Sequence, residues 1–235
     1  MKSQIQIGIW NSLAGLESTM TLVEIFDSIY IDLEHGFRSV DDLTATINFY
    51  NMKQVDFAVR VRSFDDPITQ TLLDIGVRHF VIPQLRSLEE LEFFKRKVLF
   101  PPNGSRGLHP RSNLALNRPI NEDIKITIVI ETLESLALLP TFAQEKIVSE
   151  LYLGVFDLSM ELEISGGPFS PVLDEYFDQV SEICKKYGKK FVAMLPAGEN
   201  LSFAKSRKLD KAIIGIDVTL INQFYLSHIA ALQEN

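Results

Sequence analysis

The chain has 235 residues, 46% of them hydrophobic, which is enough for one substantial core, and it carries a formal charge of −8. That acidic balance gives no general attraction to nucleic acid or anionic membranes, and no run approaches the roughly 20 apolar residues of a bilayer-spanning helix. The opening MKSQIQIGIW holds too short an apolar run for a secretory leader, and the lone Cys184 excludes an intramolecular disulfide framework, which fits a reducing cytoplasm.

No tract of Pro, Gly or like charge marks a linker, so 1–235 reads as a single domain. The first β-rich run, Gln4 to Trp10, leads into NSLAGLEST, which lacks the G-x-G-x-x-G of a dinucleotide-binding turn. Ser28 to Leu33 is the second strand. Ser39 then stands ready to cap a helix over Val40 to Tyr50, with Asp41 and Asp42 in its first turn. Val55 to Val61 and His79 to Pro83 read as strands on either side of a helix from Pro67 to Ile75. Ser87 and Glu90 have capping-box spacing ahead of a helix over Leu88 to Lys97. The segment Pro101 to Asp123 exceeds an ordinary βα loop and has the length of a lid or binding element.

Beyond it come strand Ile126 to Glu131, helix Thr132 to Ala143, strand Glu150 to Gly154, helix Pro171 to Tyr187, strand Lys190 to Leu195, helix Leu201 to Ser206 and strand Lys211 to Ile216. A last helix after Asp217 runs through Leu220, Phe224 and Ile229. Eight strands with intervening helices predict a (β/α)8 TIM barrel of the α/β class. The count and the missing dinucleotide turn weigh against an open doubly wound sheet.

In such a barrel, residues at C-terminal strand ends converge on one mouth, and those at strand starts point to the opposite, stability face. Asp32, Glu34 and His35 follow strand two, Arg60 closes strand three, Glu131 ends strand five and Asp157 follows strand six at the start of a loop. Glu131 and Asp157 are hard oxygen donors suited to a divalent ion, and equally to capping helix starts. His35 can move protons near neutral pH if a carboxylate such as Asp32 orients its ring, and Asp74 in LLDIG is a second candidate partner or simply a helix end before a Gly cap. Arg60 and Arg62 share a face in an extended strand, so either can supply the guanidinium. Lys125, Lys190 and Lys211 lie at strand starts, where none can serve as a Schiff-base lysine at the mouth, and no G-x-S-x-G or Walker loop is present.

The ordered series GIW, FDSIYIDLEHG, AVRVRSFDDP, LLDIGVRHFVIP, FPPNGSRG, IVIETLES, LGVFDLS and GIDVTLI resembles the HpcH/HpaI aldolases over nearly the whole chain. The resemblance implies a class II aldolase of pyruvate-like donors that uses a divalent ion, Mg2+ or Mn2+ first, with Co2+ and Zn2+ as alternatives. By this resemblance Glu131 and Asp157 are the metal ligands, and His35 is the general base held by Asp32 and made more basic by Asp74. Arg60 stabilises the enolate oxygen, and Arg60, Val129, Phe156 and Asp157 line the substrate site. The partners implied are a small 2-oxo acid, an aldehyde and further copies of the chain exchanging a terminal helix in a homo-oligomer.

Four departures stand out: Val129 replaces a usual Gln, Val155 and Phe156 alter G-P-x-D-L-S to GVFDLS, Glu163 replaces a Gly, and Arg60 requires one extra residue before the downstream DDP, which keeps Arg62 as an alternative. They turn attention to the acceptor. Alternative readings are a citrate-lyase-like enzyme acting on acyl-CoA esters, and a non-catalytic barrel that binds an oxyanion or metal.

Overall fold

Eight short runs rich in Ile, Val, Phe and Tyr pair in parallel and close on themselves in the order β1 to β8. They are β1 (Gln6–Asn11), β2 (Ser28–Asp32), β3 (Asp56–Arg60), β4 (His79–Ile82), β5 (Lys125–Ile130), β6 (Val148–Leu153), β7 (Lys190–Met194) and β8 (Lys211–Ile216). A computed structural model of the chain describes residues 5–36, 38–107 and 123–233. The strand count, order and TIM-barrel class agree with the sequence reading, and boundaries move by two residues at most. Most of the long segment Pro101 to Asp123 lies outside the described residues.

Alternation divides the core in two. Outward residues such as Ile29, Phe80, Ile128 and Leu151 pack under the helices, and inward residues such as Trp10, Tyr30, Val129 and Tyr152 fill the barrel. Trp10 donates its indole N–H to the Tyr152 hydroxyl at 3.0 Å, so these large inward rings bury no unpaired polar atom at that contact.

The helices are α1 (Leu16–Val23), α2 (Val40–Lys53), α3 (Ile68–Ile75), α4 (Leu88–Val98), α5 (Leu133–Ala137), α6 (Leu139–Gln144), α7 (Val155–Glu161), α8 (Asp174–Tyr187), α9 (Leu201–Ser206) and α10 (Asp217–Gln233). The expected helix Thr132 to Ala143 is two, α5 and α6, because Pro140 has no N–H for the carbonyl of Leu136 and the chain turns at Leu138. The expected helix from Pro171 begins as a 3-10 turn over Pro171–Leu173. The capping box at Ser87 is only half formed. Its hydroxyl accepts from Glu90 N at 3.2 Å, but the Glu90 carboxylate accepts from Arg86 N at 2.7 Å. The short helices α1 and α7 escape sequence reading because about two turns carry too little periodicity.

At the N-terminal face the barrel floor holds a buried ion network. Glu150 accepts from Tyr30 at 2.8 Å, Thr127 at 2.9 Å and Lys211 at 2.7 Å, and Lys211 also pairs with Asp56 at 2.7 Å. Burial works to raise the Glu150 carboxyl, but His79 and Lys211 outweigh it and hold it down at about 2. Lys211 therefore points to the floor, as its strand-start position requires. Pairing of β1 with β8 closes the barrel, and at the other face buried Asp217 ties the start of α10 to the end of β1, accepting from Asn11 Nδ2 at 2.7 Å, Ser12 N at 3.1 Å and Leu13 N at 3.1 Å. From there α10 leaves the barrel, and every residue from Ile221 to Gln233 is exposed.

Glu150→Gln strips the buried Lys211 ammonium of one of its two counter-ions and costs about 3 kcal/mol in urea unfolding at pH 7. Because the folded carboxyl sits below its ordinary 4.5, its contribution is complete above pH 4.5 and disappears as pH falls through about 2. The gap between parent and variant closes over that range.

Candidate active site

The C-terminal ends of β2, β3, β5 and β6 bring charged side chains to one cavity of about 730 Å3. Asp32 ends β2 and organises the turn after it, accepting from Glu34 N at 3.0 Å and His35 N at 3.4 Å. Its two oxygens take Arg60 Nε at 2.8 Å and Nη2 at 2.7 Å in a bidentate pair. Arg60 Nη1 reaches Glu34 at 2.9 Å, and the guanidinium lies 4.4 Å from the Trp10 ring centroid. One cation is thus held by two carboxylates and an aromatic face. Burial works to raise the Asp32 carboxyl, but the Arg60 hydrogen bonds outweigh it and keep it below its ordinary value.

Across the mouth, Glu131 follows β5 with 3% of its surface exposed. Its Oε1 accepts from Gln84 N at 2.7 Å, and Gln84 takes a left-handed φ of 56°. Burial, resisted by the Gln84 hydrogen bond and assisted by the Asp157 and Glu34 carboxylates, pushes Glu131 up to about 7. Asp157 lies in the first turn of α7, not at the start of a loop, and faces the same cavity. Gly154 keeps the space beside Glu131 open, since a Cβ there would sit 3.0 Å from Glu131 Oε2 and 2.9 Å from Val129 Cγ1. No group of three or more His, Cys, Asp and Glu side chains gathered for a metal occurs among the described residues. A divalent ion here would draw its remaining ligands from water and substrate.

The structure brings His35, Arg60, Val129, Glu131, Phe156 and Asp157 onto one cavity and leaves others outside it. Arg62 is more than half exposed and faces Asp66 at 3.8 Å, so the mouth guanidinium is Arg60. Asp74 does not meet His35 within the chain. It lies on the last turn of α3, which runs back toward the strand starts, and accepts from Arg106 at 2.7 Å. The His35 ring is 74% exposed and nearest Glu34, at 3.7 Å, and Asp32 holds the His35 backbone, not its ring. Sequence reasoning gave Glu34 no role and missed Gln84. Glu34 carried the signal of its strand-end position, whereas a left-handed glutamine leaves no mark in composition.

The description HpcH/HpaI aldolase/citrate lyase matches residues 6–220. The chain belongs to this family. It is 26% identical over 230 residues to the 4-hydroxy-2-oxo-heptane-1,7-dioate aldolase of Escherichia coli, covering 92% of this chain and 86% of that one. It is 27% identical over 201 residues to a 5-keto-4-deoxy-D-glucarate aldolase of Klebsiella pneumoniae, covering 82% and 78%. The crystal structure of an HpcH/HpaI aldolase from Desulfitobacterium hafniense shares the fold, with a TM-score of 0.86 at 21% identity over 99% of this chain and 94% of that one.

Within the HpcH/HpaI family pattern, the departures acquire physical content. Glu163 follows α7 with φ 51°, the left-handed region where glycine carries no Cβ penalty, so a glutamate makes this turn at a steric cost. Val155 is buried in the core, whereas Phe156 is half exposed and meets Phe169 edge to face at 5.7 Å on the cavity wall. Val129 presents an apolar surface beside Glu131 and Gly154.

Proposed function

We propose that this family member is a metal-dependent carbon–carbon lyase that joins or separates pyruvate, or a close 2-oxo acid, and an aldehyde. The observation carrying this reading is the convergence of Glu131, Asp157, Arg60 and His35 on one cavity. The donor set fits a divalent ion, Mg2+ or Mn2+ by preference. Glu131 is a carboxyl raised first by burial and then by the negative charge of Asp157 and Glu34, a potential that a cation relieves, and Gly154 leaves room beside it. Glu131 and Asp157 would hold that ion, which when bound supplies Lewis-acid acidification of the donor's methyl protons.

The chain's own groups do the rest. His35 takes a proton from the donor's methyl carbon, its exposed ring being free to reach into the cavity from the turn that Asp32 fixes. Arg60, held by Asp32, Glu34 and Trp10, aims its positive charge where the enolate oxygen develops, and its rigid clamp means little reorganisation during reaction. The acyl-CoA reading is less favoured. Arg60 is the one permanent cation among the described cavity-lining residues, and two carboxylates already engage it, so none of those residues offers a free positive charge to nucleotide phosphates. A cytoplasmic setting goes with this reading, on the strength of the single cysteine.

Glu131→Ala and Asp157→Ala each lose stoichiometric Mn2+ binding by calorimetry while retaining the parent's circular dichroism. His35→Ala keeps the metal and lowers deuterium exchange at pyruvate's methyl group by about 10²- to 10⁴-fold. Parent-like exchange in His35→Ala removes it from the mechanism, and undiminished metal binding in both carboxylate variants removes the metal site.

The proposal extends to a homo-oligomer. Helix α10 exposes Ile221, Phe224, Tyr225, Leu226, Ile229 and Leu232, with Leu226 at 68%, an apolar surface that a second copy of the chain would cover. The native mass by light scattering is therefore expected to be a multiple of 26.6 kDa. Replacing Phe224 and Leu226 together by Asp should reduce it toward one chain, whereas a monomeric parent contradicts the assignment.

A further inference from the structure

The reacting groups come from the ends of β2, β3 and β5 and from Asp157 of α7, and the lining that continues from Phe156 through the ends of β7 and β8 has a different chemistry. Phe156 and Phe169 form an edge-to-face pair, Met194 and Leu195 stand at the end of β7, Ile214 lies on β8, and Leu220 comes from the first turn of α10. Gly215 is shaped for this wall. It takes φ +151°, and a Cβ there would meet Leu220 at 3.2 Å. The cavity of about 730 Å3 has far more room than a three-carbon donor and an ion require. A surface of this kind rewards an apolar chain and offers a charged one nothing to pair with.

The charge distribution points the same way. Among the described residues lining the cavity, the only side chain with a permanent positive charge is Arg60, already engaged by Asp32 and Glu34. Glu131, Asp157 and Glu199 add carboxylates, Glu199 from the loop after β7 on the apolar side. With these carboxylates ionised, a divalent ion and a monoanionic donor leave the balance negative. An acceptor carrying its own carboxylate would enter a field of its own sign, and no uncommitted cationic side chain among the described lining residues would receive it.

Resting on the aldolase reading above, we propose that the acceptor is a neutral aldehyde with an apolar chain, and that Glu199 turns away aldehydes ending in a carboxylate. The donor's methyl carbon gives up a proton and bonds to the aldehyde carbon. The aldehyde C=O π bond opens, and its oxygen takes a proton to become a hydroxyl. The product is a 4-hydroxy-2-oxo acid whose far end is hydrocarbon, and the reverse reaction returns pyruvate and the neutral aldehyde. No oxidant or further reactant enters.

The test pairs pyruvate and Mn2+ with butanal or with 4-oxobutanoate, two acceptors of equal chain length that differ in the terminal carboxylate, at low ionic strength. The parent is expected to favour butanal at least tenfold in kcat/KM. Glu199→Lys should narrow that ratio at least threefold by raising use of 4-oxobutanoate, with the effect shrinking as salt is added. Equal use of the two aldehydes, or a preference for 4-oxobutanoate, overturns the proposal, and an unchanged ratio in Glu199→Lys overturns the part given to Glu199. Deuterium exchange into pyruvate is measured alongside. Exchange without condensation on either aldehyde overturns the acceptor assignment and leaves the enolising site standing, whereas no exchange with any small 2-oxo acid overturns the aldolase reading itself.

Discussion

Negative charge gathered at the barrel mouth around a single guanidinium is the constraint on which the rest of the site depends. Asp32 and Glu34 both lean on Arg60, which leaves Glu131 and Asp157 without a cation of their own. A buried carboxyl in that position resists ionisation, and Glu131 accordingly rises to about 7. The fold tolerates this because the Gln84 N–H, delivered by a left-handed residue, partly compensates the buried oxygen. Local backbone strain and an unneutralised carboxyl at one place are the marks of a site built for something the chain does not itself supply.

The barrel floor makes the contrast plain. Glu150 is buried as deeply as Glu131 and belongs to the neighbouring strand, yet it is held at about 2. Lys211 and His79 account for the difference, since they sit directly against Glu150, whereas Glu131 has the Gln84 N–H and a more distant Arg60 set against the Asp157 and Glu34 carboxylates. Burial pushes both groups upward, and the partners decide the outcome. The floor is an internally satisfied ion network serving stability, and the mouth is an open one available to a ligand.

Much of this was legible in the sequence, and what was not has identifiable physical causes. The eight strands were visible because their β-branched and aromatic runs are bounded by clear helix starts, and strand-end position alone marked Asp32, Glu34, His35, Arg60 and Glu131. The choice of Arg60 over Arg62 needed the bend after β3, where Asp66 draws Arg62 outward. The expected pairing of His35 with Asp74 fails within the chain because α3 carries Asp74 toward the floor, where Arg106 takes it. Helix α7, which places Asp157 in a first turn, was too short to announce itself. The left-handed backbone at Gln84 left no trace, since glutamine does not favour that conformation, whereas Glu163 was marked only by standing where the resemblance expects a Gly.

The central claim is that the mouth carboxyls are poised for a divalent cation, and proton release on metal binding measures it most directly. With Glu131 pushed up to about 7, the metal-free protein near neutral pH retains proton density at this site that a bound cation must expel. Calorimetric titration of Mn2+ in buffers of different ionisation enthalpy should report proton release at pH 7 that falls toward none at pH 9. Glu131→Gln should abolish the release at pH 7. Stoichiometric Mn2+ binding at pH 7 with no proton release, or release unaffected by Glu131→Gln, would contradict the account.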